Sequence, residues 1–190
     1  MAYLEEDDPV LADLVSREAQ RLENTIDLIA AESHCPRSIM EALGSVFTTK
    51  TIEGYPGRRF HAGCVHADAV ERLAVERAVA LFGAEAANVQ PHSGSSANLA
   101  VYFSVLQPGD RILAMSLPHG GHLSHGHSAS ITSQCFAFEH YTLDSATERI
   151  DYGQIRDQAR RFRPKMIVAG ASSYPRLIDY AAIAAIAGEI

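Results

Sequence analysis

Lysine is scarce: the 190-residue chain has two, Lys50 and Lys165, against 23 acidic residues, and its formal net charge is -7. Nucleic acids and anionic membrane surfaces are bound through clustered cations, so neither is an expected partner. Small molecules or further copies of the chain are expected instead. Long apolar runs are missing as well. No stretch approaches the roughly 18 residues of a spanning helix, and the start, Met1-Ala-Tyr-Leu-Glu-Glu-Asp-Asp, lacks the basic and apolar regions of a signal peptide. A cytoplasmic protein is the resulting expectation. The cysteines Cys35, Cys64 and Cys135 are odd in number and form no CxxC pair, which points to reduced thiols rather than a disulfide framework or a cysteine zinc site. Repeats and low-complexity linkers are absent. What is present is 47% hydrophobic, enough to bury a core, so disorder is not expected.

Periodicity organises the chain. Val10, Leu11, Leu14, Val15 and Leu22 recur at helical spacing behind Asp7-Asp8-Pro9, the reading of an amphipathic arm. A second helix is predicted over residues 37–47. Residues 48–63 are rich in glycine, proline and charge and predict a loop long enough to be functional. Helical spacing returns at Val70, Leu73, Ala74, Arg77 and Leu81 and stops at Gly83. Strands are predicted around 87–89, 111–115, 135–140 and 166–169, with a helix through Ile155, Ala159 and Phe162 and another capped by Asp179. Alternating strands and helices imply an α/β layer fold with parallel strands. The expected division is an arm over 1–50, a loop over 51–67 and an incomplete α/β domain over 68–190. A sheet of three or four strands would leave edges and apolar faces bare, so the chain reads as cut short.

Three segments carry chemistry. Pro91-His92-Ser93-Gly94-Ser95-Ser96-Ala97-Asn98 precedes an apolar helical stretch, and a small-residue turn there presents free N–H groups, hydroxyls and the positive end of the helix dipole. It is either a phosphate cradle or an ordinary serine N-cap. His119, His122, His125 and His127 fall within nine residues. They admit a zinc or nickel site, flat stacking on an aromatic cofactor with acid/base work, or a polar loop of satisfied imidazoles. The interspersed glycines and the lack of a nearby carboxylate count against metal. Glu53-Gly54-Tyr55-Pro56-Gly57-Arg58-Arg59-Phe60-His61 joins a carboxylate, two arginines and a histidine. It reads as an active-site loop with Glu53 moving protons and the arginines holding anions, or as a solvated loop with a local ion pair.

Together with Leu28-Ile29-Ala30-Ala31-Glu32-Ser33, Ala87-Asn88-Val89-Gln90 and Pro164-Lys165-Met166-Ile167-Val168-Ala169-Gly170, these segments resemble, in order, the serine hydroxymethyltransferase family. The resemblance runs over nearly the whole chain. It implies a fold type I enzyme dependent on pyridoxal phosphate (PLP), a homodimer or dimer of dimers, moving a one-carbon unit between serine and tetrahydrofolate and forming glycine. By the same resemblance Ser93, Gly94 and Ser95 hold the PLP phosphate, His122 stacks on its ring and Ser172 contacts its ring oxygen. Glu53 handles the proton of the substrate hydroxyl and of folate from across the subunit boundary. Leu117, Gly121, Leu123 and His125, with Ala31, Glu53 and Phe60, contact folate or substrate. No metal is implied.

The departures are specific. Ala31 stands where the family has a substrate-contacting serine, Thr51 where it has a tyrosine crowding the substrate α-carbon, Phe60 and His61 where it has two tyrosines, and Ala62 where it has a glycine. Thr51 leaves room for a group larger than hydrogen, so α-methylserine and D-alanine fit better than serine and glycine. His61 can still donate a proton or a hydrogen bond. The family's Schiff-base lysine, ring-nitrogen aspartate and carboxylate-binding arginine are expected beyond residue 190, so the chain alone is expected to be catalytically silent. The competing expectations are a threonine aldolase or transaldolase branch, a non-catalytic remnant that still dimerises, and a histidine-rich metal binder.

Overall fold

The computed structural model describes residues 2–190, and compactness divides them between His34 and Cys35. In the first unit α1 (Ala2–Asp7) is followed by α2 (Pro9–Asn24). Proline at N1 costs α2 no hydrogen bond, and Asp8 caps the helix by accepting the Leu11 N–H at 3.0 Å. Val10, Leu11, Leu14 and Val15 remain exposed.

The second unit begins with α3 (Arg37–Leu43). This helix ends earlier than residue 47 because Gly44 interrupts it, and a 3-10 turn over Val46–Thr49 follows. Within the predicted loop, β1 (Gly54–Tyr55) and β2 (Arg58–Arg59) pair antiparallel around Pro56-Gly57. Gly57 has φ +78, the positive value that the third position of such a turn requires. Helix α4 (Val65–Phe82) stops at Gly83, which is left-handed at φ +59. Residues 87–89 form no strand. Among the described residues this segment joins neither open edge of the sheet and runs without regular structure into α5 (Gly94–Val105).

The sheet is parallel and ordered β4-β3-β5, with β3 (Arg111–Met115), β4 (Ala137–Tyr141) and β5 (Met166–Ile167). Helix α6 (Ile131–Cys135) precedes β4, and α7 (Tyr152–Phe162) and α8 (Tyr180–Gly188) complete the chain. Ile112, Leu113, Ala114 and Met115 are all fully buried because both faces of β3 are covered. Ile112 packs with Tyr102 of α5, with Leu106 just after that helix and with Phe136, while Leu113 and Met115 pack with Ile155 and Ala159 of α7 and Ile186 of α8. The strand period of two thus feeds two separate clusters, and the result is a three-layer α/β/α arrangement. Asp151 caps α7 and Asp179 caps α8 through Gly153, Gln154 and Ala182 N–H groups. No helix among the described residues is long and apolar enough to cross a membrane.

Candidate cofactor and active site

The loops that leave the carboxyl ends of β3 and β5 are drawn together, the place where open α/β sheets bind ligands. Gly120 C=O accepts the N–H of Ser172 at 2.8 Å and of Ser173 at 3.1 Å, so the segment after β5 is latched to the histidine loop after β3. Gly121 allows that loop to turn back, because a Cβ there would strike the Met115 carbonyl. Gly126 lies flat against the Phe138 ring at φ +89, a position no side chain can share. The glycines of this loop therefore serve close approach.

Helix α5 brings its amino terminus to the same loop. Asn98 donates to Ser124 Oγ at 2.7 Å, and Tyr102 OH donates to Ser124 C=O at 3.2 Å. At the helix start Ser93 Oγ accepts the Ser96 N–H at 3.2 Å, and Ser96 Oγ accepts the Ser93 N–H at 3.0 Å, a reciprocal capping box. The cap occupies Ser93 and Ser96. Among the described residues the N–H groups of Gly94 and Ser95 meet no acceptor, and a Cβ on Gly94 would enter open space. The serine cap is therefore present, and it leaves the N–H groups of Gly94 and Ser95 without acceptors. That donor set fits a phosphate, whose oxygens accept from helix-terminal N–H groups.

All four clustered histidines use Nδ1 to accept a backbone N–H. His119 takes Leu143 at 3.0 Å, His122 takes Ser124 at 3.1 Å, His125 takes His122 at 3.2 Å and His127 takes Ala129 at 3.2 Å. Each acts as a local cap with its proton on Nε2. Among the described residues no group of three or more His, Cys, Asp or Glu is arranged to hold a metal. His122 additionally has Ser124 Oγ 2.8 Å from Nδ1, so its ring plane and tautomer are both fixed. His125 is buried, and burial together with the neighbouring His122 and His140 lowers its pKa to about 4. Leu117 and His122 line a cavity of about 510 Å³ with Ser116, Gly126, His127 and His140. The buried Ser116 hydroxyl has no partner, leaving one polar atom free there. Ser93 to Ser95 and Ser172 lie outside this cavity, as do Gly121, Leu123 and His125.

The hairpin holds the other predicted residues. His61 Nε2 and Glu53 Oε2 are 3.0 Å apart, and Phe60 N–H donates to Glu53 C=O at 3.1 Å. Thr51, Glu53, Phe60 and His61 are all exposed, and no hydrogen bond or ion pair links them to His122, Ser93 or Ser172 among the described residues. Arg59 departs from the anion-binding reading. Its guanidinium is consumed by Asp68 and Glu71 of α4, while Arg58 stays exposed. Ala31 is exposed at a turn of the first unit. The positioning partners Asn98, Ser124, Asp68, Glu71 and Gln90 escaped the sequence reading. The i,i+3 spacing of Asp68 and Glu71, which puts both carboxylates on one face of α4, was the available signal.

Comparison with known proteins agrees with this layout along the chain. The family model for serine hydroxymethyltransferase matches residues 4–190. The chain is 49% identical over all 190 residues to a serine hydroxymethyltransferase of Dehalococcoides mccartyi strain CBDB1, and 50% identical over all 190 to that of Methanospirillum hungatei JF-1. In both cases it spans 46% of the relative's length. A match that continuous, on an α/β sheet with a free helix terminus beside a tautomer-fixed histidine, means that the chain belongs to the serine hydroxymethyltransferase family.

Proposed function

We propose that this chain supplies the phosphate-binding, ring-facing and proton-handling side chains of a PLP-dependent hydroxymethyltransferase. In this reading a one-carbon unit passes between serine, or α-methylserine, and tetrahydrofolate, giving glycine or D-alanine. The observation that carries it is the convergence of the α5 amino terminus, the His122 turn and the Ser172 segment at the carboxyl ends of parallel strands. When bound, PLP supplies an electron sink for negative charge at the substrate's α-carbon.

The chain's own residues have separable tasks. Gly94 and Ser95 N–H groups donate to the cofactor phosphate, with the α5 dipole favouring its charge. His122 offers a ring face whose plane is fixed from behind by Ser124 and Asn98, and Ser172 meets the ring oxygen. Glu53 carries a proton, and His61 is the group that hydrogen-bonds it. Leu117, Gly121, Leu123 and His125 shape the folate side. Neither lysine is free to bond the cofactor: Lys50 donates to Thr51 C=O at 2.8 Å, and Lys165 pairs with Asp110 at 2.6 Å at the amino end of the sheet, away from the site. In this reading the covalent lysine is neither Lys50 nor Lys165. Assembly is as a homodimer or dimer of dimers in the cytoplasm, with Glu53 entering the neighbouring subunit's site.

Glu53→Gln in the catalytically competent protein that carries this chain tests the reading. Turnover of serine with tetrahydrofolate should fall by roughly 10² to 10⁴, the usual weight of a positioned acid or base, with cofactor content unchanged. Unchanged turnover would remove Glu53 from the reaction.

A further inference from the structure

The buried guanidinium of Arg59 sits at the crossing of three segments. Its side chain is 5% exposed and makes four hydrogen bonds: Nε to Asp68 Oδ1 at 2.8 Å, Nη2 to Glu71 Oε2 at 2.6 Å, and Nη1 to the carbonyls of Ile52 (2.9 Å) and Gly54. The two carbonyls flank Glu53 on either side. Asp68 uses its second oxygen to accept the Gly57 N–H at 2.8 Å, so the same carboxylate holds the hairpin turn. Glu71 is shared as well. Gln90 Nε2 donates to Glu71 Oε1 at 2.8 Å and to Gly54 C=O at 2.9 Å, and Gln90 lies three residues before Ser93. The hub thus joins the hairpin, α4 and the approach to the phosphate-facing turn.

We infer that Arg59, with Gln90 beside it, is a positioning residue that fixes the loop carrying Glu53 and His61 on α4, in the arrangement from which Glu53 enters the neighbouring subunit's site. This deepens the proposed function and rests on Glu53 carrying a proton. The geometry explains why arginine is needed. A planar fork reaches two carboxylates and two carbonyls in different directions, whereas an ammonium is a single point with three donors and cannot bridge both sides of Glu53. With its charge matched by Asp68 and Glu71, Arg59 is spent on holding the loop instead of binding a substrate anion.

Two measurements separate positioning from bulk stability. The first is a double-mutant cycle on kcat in the holoenzyme. Arg59→Lys should lower kcat roughly ten- to hundredfold with cofactor content retained, the scale of an ångström-sized misplacement of a reacting group. In the Glu53→Gln background the same change should cost less than about twofold, because the group it positions is already gone. Equal costs in both backgrounds would overturn the inference. The second is amide hydrogen exchange, which needs no turnover. Arg59→Lys should release the Gly57 and Phe60 amides while those of Leu113 and Ala114 in β3 stay protected, and unchanged protection at Gly57 and Phe60 would also overturn it. If Arg59→Lys does not fold, Gln90→Ala, which removes one arm of the hub, is predicted to give the same pattern in both measurements. Should Glu53→Gln itself leave kcat intact, the proton-carrying reading falls while the exchange data still decide the hub.

Discussion

Acid should loosen the histidine loop through one residue. His125 is 6% exposed, and its imidazole, surrounded by protein and facing His122 and His140, has its pKa lowered from 6.5 to about 4. The unfolded chain binds a proton at 6.5, so between pH 6.5 and about 4 the unfolded state is the more protonated and stability falls as pH falls through that window. A tenfold change in proton affinity is worth about 1.4 kcal/mol, so full acidification across this window costs about 3 kcal/mol. That is a large part of the stability of a domain of this size. The structural reason is visible: His125 Nδ1 accepts the His122 N–H, a bond that a protonated Nδ1 cannot make. Urea unfolding at pH 7 and pH 4.5, on the wild type and on His125→Gln, measures it. Glutamine keeps an acceptor but does not titrate, so the wild type should lose about 2 to 3 kcal/mol more than the variant over that interval. Equal losses would refute the reasoning and assign the acid sensitivity to other groups.

Gly126→Ala combines a left-handed φ with a clash against the Phe138 ring, so thermal or urea unfolding should report a loss of roughly 2 to 4 kcal/mol. Ser93→Ala removes the α5 cap and should cost about 1 kcal/mol, measured the same way, with Ser96→Ala costing less because the Ser93 side chain still accepts. Hydrogen bonds from Arg59 and the Gly57 N–H hold the Asp68 carboxyl below the usual carboxylate range, so its contribution is present above about pH 4 and is lost on further acidification. An Asp68→Asn variant should show a flatter unfolding profile below that pH. In the competent enzyme Thr51→Tyr should shift the ratio of kcat/KM for α-methylserine over serine toward serine by one to three orders of magnitude, since a methyl is worth about 1 kcal/mol when buried and about 1 to 3 when forced against a ring. A wild-type preference for serine that survives the substitution would refute it.

The sheet was legible because its strand signal is chemical. Ile112 to Met115 is an unbroken apolar run, which a strand covered on both faces requires, and the structure pairs those residues over their whole length. Gly83 and Asp179 marked helix ends for equally local reasons. The 87–89 segment was misread because only Val89 favours a strand there, beside Ala87 and Asn88, and a ladder also needs a neighbour, which sequence does not name. The turn at Ser93 was legible as two alternatives, of which the structure shows the serine cap. The histidines were not separable from sequence, since an imidazole that caps a backbone N–H and one that faces a ligand look the same until Nδ1 is seen to be occupied. Arg59 was left between anion binding and a local ion pair for a similar reason: the carboxylates that neutralise it lie nine and twelve residues away on α4.

The central claim is that the amino terminus of α5 takes the cofactor phosphate, and non-covalent binding tests it most directly. Pyridoxine phosphate lacks the aldehyde and cannot react with Lys50 or Lys165, so equilibrium binding of pyridoxine phosphate and of pyridoxine isolates the phosphate's share. Gly94→Asp sets a carboxylate where that phosphate would sit, in open space and at a helix position where an acidic residue favours folding. The account predicts that the substitution weakens pyridoxine phosphate by roughly tenfold or more, at least 1.4 kcal/mol, and leaves pyridoxine within about twofold. Equal affinity of wild type and Gly94→Asp for pyridoxine phosphate would contradict it.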